Sequence, residues 1–157
     1  MAAVGKFEKL WIAAQEWCLE RMGRLQAKCS PPTAPHLVTG LRGETAAMFE
    51  LRRRGVVVVA RRWTSPKMRG DVDLIGWDGD CLCFIEVKTR TARDMSPAEA
   101  GVDQIKRRML RGLARIYLRT FPEPTRRTIS VRFDVVSVYL LGSATEFEFF
   151  QGAFGWR

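Results

Sequence analysis

Hydrophobic and polar positions follow a helical period at the start of the chain and strand-like patterns in its middle. In residues 6–28, apolar side chains recur every three or four positions, which predicts an amphipathic helix. A proline-rich stretch at residues 30–35 interrupts this pattern and is typical of a linker. We therefore expect an N-terminal helix and linker over residues 1–38, followed by the main domain over residues 39–157. The apolar face of the N-terminal helix comprises Phe7, Leu10, Trp11, Ala14, Cys18, Met22 and Leu25.

The main domain is predicted to have the element order α-β-β-β-α-β. Its first helix, over residues 43–54, ends at Gly55, a residue type favoured just beyond a helix C-terminus. β-branched runs and an Asp-Gly hairpin signal predict three strands, and a longer amphipathic pattern then predicts a helix. A hairpin followed by a helical crossover implies an α/β fold with a central mixed β-sheet flanked by helices. The later elements are predicted as strands 56–60, 71–77 and 81–88, helix 98–120 and strand 131–141.

Two segments of this domain lack a regular pattern. Residues 61–69 carry basic side chains around Pro66, and we expect them to form a basic loop. The C-terminal tail is rich in aromatic residues but weakly patterned, so we expect it to cover the core. The apolar stripe that we expect the long helix to bury comprises Val102, Ile105, Met109, Leu113 and Ile116.

The net charge indicates the class of binding partner, and the cysteine content indicates the cellular compartment. The chain has 26 Lys and Arg against 17 Asp and Glu, a formal net charge of +9. This balance favours a polyanion such as DNA, and the alternative is a basic soluble protein with no such partner. Four cysteines without a CxxC pair, and the single histidine His36, argue against a structural zinc site or a disulfide scaffold. We therefore expect a cytoplasmic protein, without a membrane span or a signal peptide.

Charged side chains occupy two neighbouring predicted strands that a buried sheet would otherwise fill with apolar residues. Asp71 and Asp73 should share a face with Ile75 on the first strand, and Glu86 and Lys88 should share a face on the second. Pairing of the two strands through the hairpin would bring Asp73 close to Glu86. Two carboxylates held together repel each other unless a cation or a proton intervenes, and hard oxygen ligands suit Mg²⁺ or Mn²⁺.

Glu44 supplies a third carboxylate from the preceding helix. It shares a helical stripe with Met48, so its side chain should point toward the sheet. Beside a metal ion, Lys88 can orient or help deprotonate an attacking water, while the metal stabilises charge developing on a phosphate. The alternative is a structural salt bridge in which Lys88 pairs with Glu86 or Asp73.

Basic residues surround these acids in the sequence. Lys106 falls at the edge of the apolar face of the long helix, so we expect it to lean toward the sheet and the carboxylates. The arginines of that helix form another stripe, which is either a solvated face or part of a groove for a phosphate backbone. The candidate nucleic-acid-binding residues are Arg61, Arg62, Lys67, Arg69, Arg90, Lys106, Arg108 and Arg111.

These residues together resemble a known family over about residues 40–140. The motifs that carry the resemblance are Gly43-Glu44, Gly70-Asp71-Val72-Asp73-Leu74-Ile75, Glu86-Val87-Lys88-Thr89-Arg90, Val102 with Lys106, Ala114 with Tyr117-Leu118, and Arg132-Phe133-Asp134-Val135-Val136. In this order and spacing they resemble the YraN-like family. The resemblance implies a restriction-endonuclease-like core of the PD-(D/E)xK type, similar to Holliday junction resolvases.

The resemblance also implies roles for individual positions. It implies a metal-dependent nuclease whose cofactor is Mg²⁺ or Mn²⁺. The positions that match its catalytic residues are Glu44, Asp73, Glu86 and Lys88. Those that match its metal ligands are Asp73, Glu86 and the carbonyl of Val87, with Glu44 and Asp71 as further candidates. The chain departs from the family pattern in having Asp71 where a glutamate is usual, and in lacking the proline before Asp73.

Three functions remain open from the sequence. The first is a metal-dependent endonuclease for branched or single-stranded DNA, and a resolvase of this kind would be a homodimer because it needs two active sites. The second is a non-catalytic nucleic-acid-binding module on a nuclease fold, since a fold alone does not fix function. The third is an interaction protein whose N-terminal helix docks an unknown protein partner.

Overall fold

The computed structural model describes residues 35–92 and 102–157 of the chain. The helix predicted for residues 6–28 and the first residues of the long helix predicted from residue 98 lie outside these ranges. The described helices and strands are α1 (Pro35–Arg53), β1 (Val57–Ser65), β2 (Met68–Asp78), β3 (Cys81–Arg90), α2 (Gln104–Leu118), α3 (Glu123–Thr128), β4 (Ser130–Leu141) and β5 (Ala144–Phe154).

The strands form one sheet in the order β1-β2-β3-β4-β5. β3 and β4 are parallel, and the other neighbouring pairs are antiparallel. The parallel pair requires a crossover, which α2 and α3 supply between β3 and β4. The α/β fold with a central mixed sheet flanked by helices, predicted from the sequence, is therefore confirmed.

Alternating side chains of the central strand β3 supply both halves of the core. Ile85 packs with Met48 and Leu51 of α1 on one face of the sheet. Phe84 packs with Leu110 of α2 on the other face. A strand that is covered on both faces tolerates a charged side chain only where a partner or solvent reaches it, and the carboxyl end of β3 is such a place.

Helix α1 begins well before the predicted residue 43, so that prediction of its start was wrong. It begins at Pro35, and proline is tolerated in the first turn of a helix because its missing N–H would have no partner there. The predicted boundary between residues 38 and 39 therefore falls inside α1. The apolar residues in the first two turns of α1 are exposed to solvent. The sequence pattern that marks a helix packed on a core is therefore absent from these turns, and the start of the helix could not be predicted from it.

The basic loop predicted over residues 61–69 is also wrong, because these residues form a hairpin. β1 continues to Ser65, Pro66 and Lys67 make the turn, and β2 follows at once. Pro66 sits in the turn, where its lack of an N–H removes no ladder hydrogen bond. The Lys67 N–H donates to Ser65 Oγ at 3.2 Å, which closes the turn. The basic side chains of this segment consequently project from two paired strands.

The C-terminal tail forms β5, an edge strand, instead of an irregular cover. It pairs antiparallel with β4, with a register shift near Phe154. Phe147 and Phe149 pack on the α1 side of the sheet, whereas Phe150 and Phe154 pack on the α2 side. Because aromatic side chains occupy both faces, the strand shows no alternation of polar and apolar residues from which it could be predicted.

The buried stripe of α2 is rotated relative to the prediction. Leu110 and Leu113 are fully buried, but Ile105 is 78% exposed. The helix begins at residue 104, with the Asp103 side chain accepting a hydrogen bond from the Lys106 N–H at 2.7 Å. This register turns the Lys106 side chain toward the sheet and Ile105 toward solvent.

Gly43 marks a close approach of α1 to β3, next to the candidate site. A Cβ at this position would lie 1.8 Å from Thr89 Oγ1. Gly43→Ala should therefore lower the free energy of unfolding by about 1–3 kcal/mol in urea denaturation. A Cβ at Gly40 on the same helix would meet nothing within 4 Å, so Gly40→Ala should raise stability by up to about 1 kcal/mol. Changes of the same sign in both variants would contradict this packing.

Candidate active site

The candidate site lies where the backbone pairing between β2 and β3 ends and a side chain of β2 binds the backbone of β3 instead. The backbone pairing of the two strands runs from Asp78–Cys81 to Leu74–Ile85. Beyond it, the Val87 N–H donates to Asp73 Oδ2 at 2.7 Å. Asp73 thus binds the backbone of β3 at Val87 through its carboxylate, and its negative charge lies close enough to that of Glu86 for the two to repel each other.

The strands are distorted at this point. Val72 and Ile75 pack in the same core cluster although they are three residues apart, so the strict alternation predicted along β2 is wrong at Asp73. On β1, Arg62 lies between two residues that pair with β2 and has φ 45°, an uncommon value for a residue with a side chain. Such conformations cost energy and occur preferentially at functional sites.

Glu86 is buried and forms ion pairs with two lysines. Lys88 Nζ lies 3.0 Å from Glu86 Oε1, and Lys106 Nζ lies 2.9 Å from Glu86 Oε2. The expected approach of Lys106 to the carboxylates is therefore present. The Glu86–Lys88 salt bridge of the alternative interpretation is present as well, so both oxygens of Glu86 have a lysine partner.

Asp73 has no such cationic partner at ion-pair distance among the described residues. Burial and the negative charge of Glu86 raise the pKa of Asp73 from 3.8 to about 7, against the opposing effects of the Val87 N–H and Lys106. The ionised form of Asp73 is therefore destabilised at neutral pH. A cation bound beside the two carboxylates would remove that destabilisation.

Glu44 and Asp71 extend the acidic cluster toward β1. Glu44 Oε2 is buried without a hydrogen-bond partner, and burial raises the pKa of this carboxyl. Arg62 Nε lies 3.9 Å from Glu44 Oε2 and 3.7 Å from Asp71 Oδ2, so one guanidinium stands between the two acids. A buried carboxylate oxygen that accepts no hydrogen bond is the kind of group that a metal ion or its bound water would satisfy.

Three of the acids, Glu44, Asp73 and Glu86, line a cleft of about 680 Å³, whereas Asp71 does not. The predicted residues that line it are Glu44, Asp73, Glu86, Val87 and Arg90. Sequence reasoning missed other lining residues, because it placed the first helix too far along the chain and did not extend the strand to its end. These additional residues are His36, Thr39, Gly40, Thr89, Thr91 and Ala92.

The chemical type of the donor atoms at the cleft suits a hard divalent cation. Most of them are carboxylate oxygens, which Mg²⁺ and Mn²⁺ prefer. The cleft is also lined by His36, which is exposed on the first turn of α1. Within residues 35–92 and 102–157, however, no three acidic, histidine or cysteine side chains converge closely enough to hold a metal ion as they stand. A metal would therefore require the carboxylates to move closer together than they lie in this structure.

The candidate nucleic-acid-binding residues have different surroundings. Arg62, Arg90 and Lys106 lie at the cleft or contact its acids. Arg61 donates to Thr45 Oγ1 at 3.0 Å, which connects β1 to α1. Arg111 donates to the carbonyl oxygens of two C-terminal residues, at 2.7 and 2.5 Å. The exposed residues Lys67, Arg69 and Arg108 complete the set.

The five-stranded mixed sheet flanked by helices makes this an α/β protein, and its architecture is consistent with a nuclease-like core. Comparison with known sequences then gives the family. The model described as "Uncharacterised protein family UPF0102" matches residues 43–138, so the chain belongs to the UPF0102 family, which confirms the YraN-like resemblance. Among the helices of the two described ranges, none is long and apolar enough to cross a membrane.

Individual relatives match across most of their length. A UPF0102 protein of Koribacter versatilis is 48% identical over 124 residues, which are 79% of this chain and 84% of the relative. A UPF0102 protein of Solibacter usitatus is 43% identical over 71% of this chain and 82% of its own. A UPF0102 protein of Dictyoglomus thermophilum is 36% identical over 73% of this chain and 95% of its own.

Proposed function

We propose that this protein is a Mg²⁺- or Mn²⁺-dependent endonuclease that hydrolyses phosphodiester bonds in branched or single-stranded DNA. The observation that carries the proposal is the pair of buried carboxylates, Asp73 and Glu86, at an open cleft beside two lysines. A raised pKa of a buried carboxyl at an open cleft, as at Asp73, is more typical of a functional site than of a structural ion-pair cluster.

In this proposal each residue of the cleft has a distinct role. Asp73, Glu86 and the Val87 carbonyl would hold the cation, and Glu44 and Asp71 would be further candidate ligands. A cation bound there would supply an acidified water and stabilise charge on the scissile phosphate. Lys88 holds the attacking water through its ammonium group, which is already fixed near the site by Glu86 at 3.0 Å.

Lys106 has a positioning role on the opposite side of Glu86. Its ammonium lies 2.9 Å from the second carboxylate oxygen, so Glu86 is held between two lysines. This arrangement fixes the orientation of the Glu86 carboxylate at the open cleft. A phosphate that enters the cleft brings negative charge of its own, and the two ammonium groups offset part of the repulsion from the acids.

The net charge of +9 supports a polyanionic substrate. Replacing two arginines of α2, Arg108 and Arg111, should have different effects on DNA binding. Arg108→Ala should weaken DNA binding and lower the salt-dependence slope by roughly one, because one phosphate contact is lost. Arg111→Ala should instead mainly lower the melting temperature, since Arg111 binds the C-terminal carbonyl groups. Fluorescence anisotropy over a range of salt concentrations and thermal denaturation measure the two effects. Equal loss of DNA affinity in both variants, with unchanged melting temperatures, would contradict these assignments.

A non-catalytic nucleic-acid-binding module is the second candidate function. The observation that favours it is the double pairing of Glu86 with Lys88 and Lys106, together with the lack of three converging ligands in the two described ranges. A module of this kind would bind DNA without divalent metal, and its affinity would survive loss of the Asp73 carboxylate.

The test of the proposed function is a cleavage assay with purified protein on plasmid, single-stranded and four-way-junction DNA. Mg²⁺ and Mn²⁺ are each titrated, and binding is measured on the same DNA in the absence of cleavage. The endonuclease proposal expects metal-dependent scission of at least one substrate. Binding to all three substrates without scission in either metal would reject it and favour the binding module.

A further inference from the structure

The first two turns of α1 expose a small apolar surface, formed by Leu37, Val38 and Leu41, which we call the α1 patch. These side chains are 53%, 44% and 41% exposed, respectively. Their spacing places them on one side of the helix. Further along α1 the same side reaches Met48, which is buried against the sheet. The α1 patch is thus the outward continuation of a stripe that the sheet covers elsewhere.

The chain that immediately precedes α1 contains a segment able to cover this patch. Residues 6–28 carry the predicted amphipathic pattern, and Met22 and Leu25 are the apolar positions nearest to α1 in sequence. Residues 29–34 connect the two and span at most about 20 Å when extended. Packed helices need only about 8–10 Å between their axes, so this connection allows an antiparallel helix pair.

We propose that residues 6–28 form a helix whose last turns, with Met22 and Leu25, pack on the α1 patch of the same chain. The short connection keeps the segment at a high effective concentration near the patch, which favours it over the same segment of a second copy. Packing removes apolar surface from water on both partners. An isolated helix of this length is only marginally stable in water, so the contact also supplies what the segment needs to be helical.

This interaction would place the N-terminal helix beside the candidate active site. The cleft-lining residues His36, Thr39 and Gly40 lie on the same two turns of α1 as the patch. The docked helix would consequently bound the cleft on its α1 side. The proposal does not depend on nuclease activity, because it rests on the exposed patch, the length of the connection and the pattern of residues 6–28.

Hydrogen–deuterium exchange of the full chain tests this contact. In the wild type, amides of residues 7–25 should exchange more slowly than in an unfolded peptide. The double variant Leu37→Ser/Leu41→Ser should speed their exchange by roughly tenfold, because the apolar contact that holds the helix is lost. Ile105→Ser is the matched control, since Ile105 is an exposed apolar residue on α2, and it should leave residues 7–25 unchanged.

A second variant approaches the contact from the other side. Met22→Asp should speed exchange of residues 7–25 to a similar degree without altering the patch itself. Amides of β3 and β4 report in every variant whether the domain remains folded. Unprotected residues 7–25 in the wild type, or protection that survives both the patch variant and Met22→Asp, would overturn the proposal. Protection that rises with protein concentration alongside a dimer on size-exclusion chromatography would also overturn it, because the occupant would be a second copy.

Discussion

Replacing Lys88 with methionine should reduce metal-dependent DNA cleavage by about 10²–10⁴-fold while the protein remains folded. Methionine preserves much of the length of the side chain but removes the ammonium group that we assign to the attacking water. Lys106 still pairs with Glu86 at 2.9 Å, so this buried carboxylate is not left without a positive partner. Single-turnover cleavage of the best substrate from the DNA panel measures the effect.

Lys67→Met is the matched control for this prediction. Lys67 is an exposed lysine in the turn between β1 and β2, and within the described residues it forms no ion pair with the acids of the cleft, whereas Lys88 pairs with Glu86. Its loss should change cleavage by no more than its small share of DNA binding. If Lys88→Met cleaves nearly as fast as the wild type, or if Lys67→Met is equally damaged, Lys88 does not have the assigned role.

Two buried aspartates should respond to the same substitution with opposite changes in stability. Asp73 and Asp134 are similarly buried, at 8% and 7% exposure. Asp134 accepts hydrogen bonds from Arg132 Nε at 2.8 and 3.0 Å and from the Gly152 N–H at 2.9 Å. Asp134→Asn should therefore lower the free energy of unfolding by about 1–3 kcal/mol, since charge-assisted hydrogen bonds are lost.

Asp73→Asn should instead raise the free energy of unfolding at pH 8 without divalent metal, by on the order of 1–2 kcal/mol. The amide removes the charge that Glu86 repels, and its oxygen still accepts the hydrogen bond from the Val87 N–H. Because the pKa of Asp73 is raised from 3.8 to about 7 by folding, its contribution to stability falls as the pH increases through that window. The advantage of the variant should accordingly shrink toward pH 4.

Urea denaturation of the wild type and both variants at pH 4, 6 and 8 measures these changes. Opposite changes in the free energy of unfolding would distinguish Asp73, as a functional carboxylate, from Asp134, as a structural one. Functional groups are often retained although they lower stability. Destabilisation by Asp73→Asn at pH 8, of the same size as that by Asp134→Asn, would mean that Asp73 is a structural residue.

The hairpin and the helix periodicity predicted which carboxylates meet at the cleft, although strand parity failed at Asp73. The hairpin brought Asp73 near Glu86, and helix periodicity directed Glu44 toward the same cleft. The position of Lys106 near the carboxylates was predicted correctly. The buried apolar stripe of the same helix, α2, was predicted incorrectly. Predictions of this kind succeed where the local period and the tertiary packing agree.

The errors occurred where tertiary structure overrides local pattern. The start of α1 was missed because its first turns are exposed, and β5 was missed because Phe149 and Phe150 face opposite sides of the sheet. The break in alternation at Asp73 accompanies the distorted backbone of Arg62, which no sequence periodicity encodes. The cleft itself depends on where α1 meets the end of β3, so its complete lining could not be predicted from either element alone.

Equilibrium binding of Mn²⁺ in the absence of DNA tests most directly whether the carboxylates of the cleft bind a divalent cation or form only an ion-pair cluster. The free ion is measured by electron paramagnetic resonance during the titration. We predict that the wild type removes the free Mn²⁺ signal in a saturable manner and that Mg²⁺ competes for the site. Asp73→Asn should bind at least about tenfold more weakly, while Asp134→Asn should bind like the wild type. Equal binding by the wild type and Asp73→Asn, or no saturable binding by the wild type, would contradict the account.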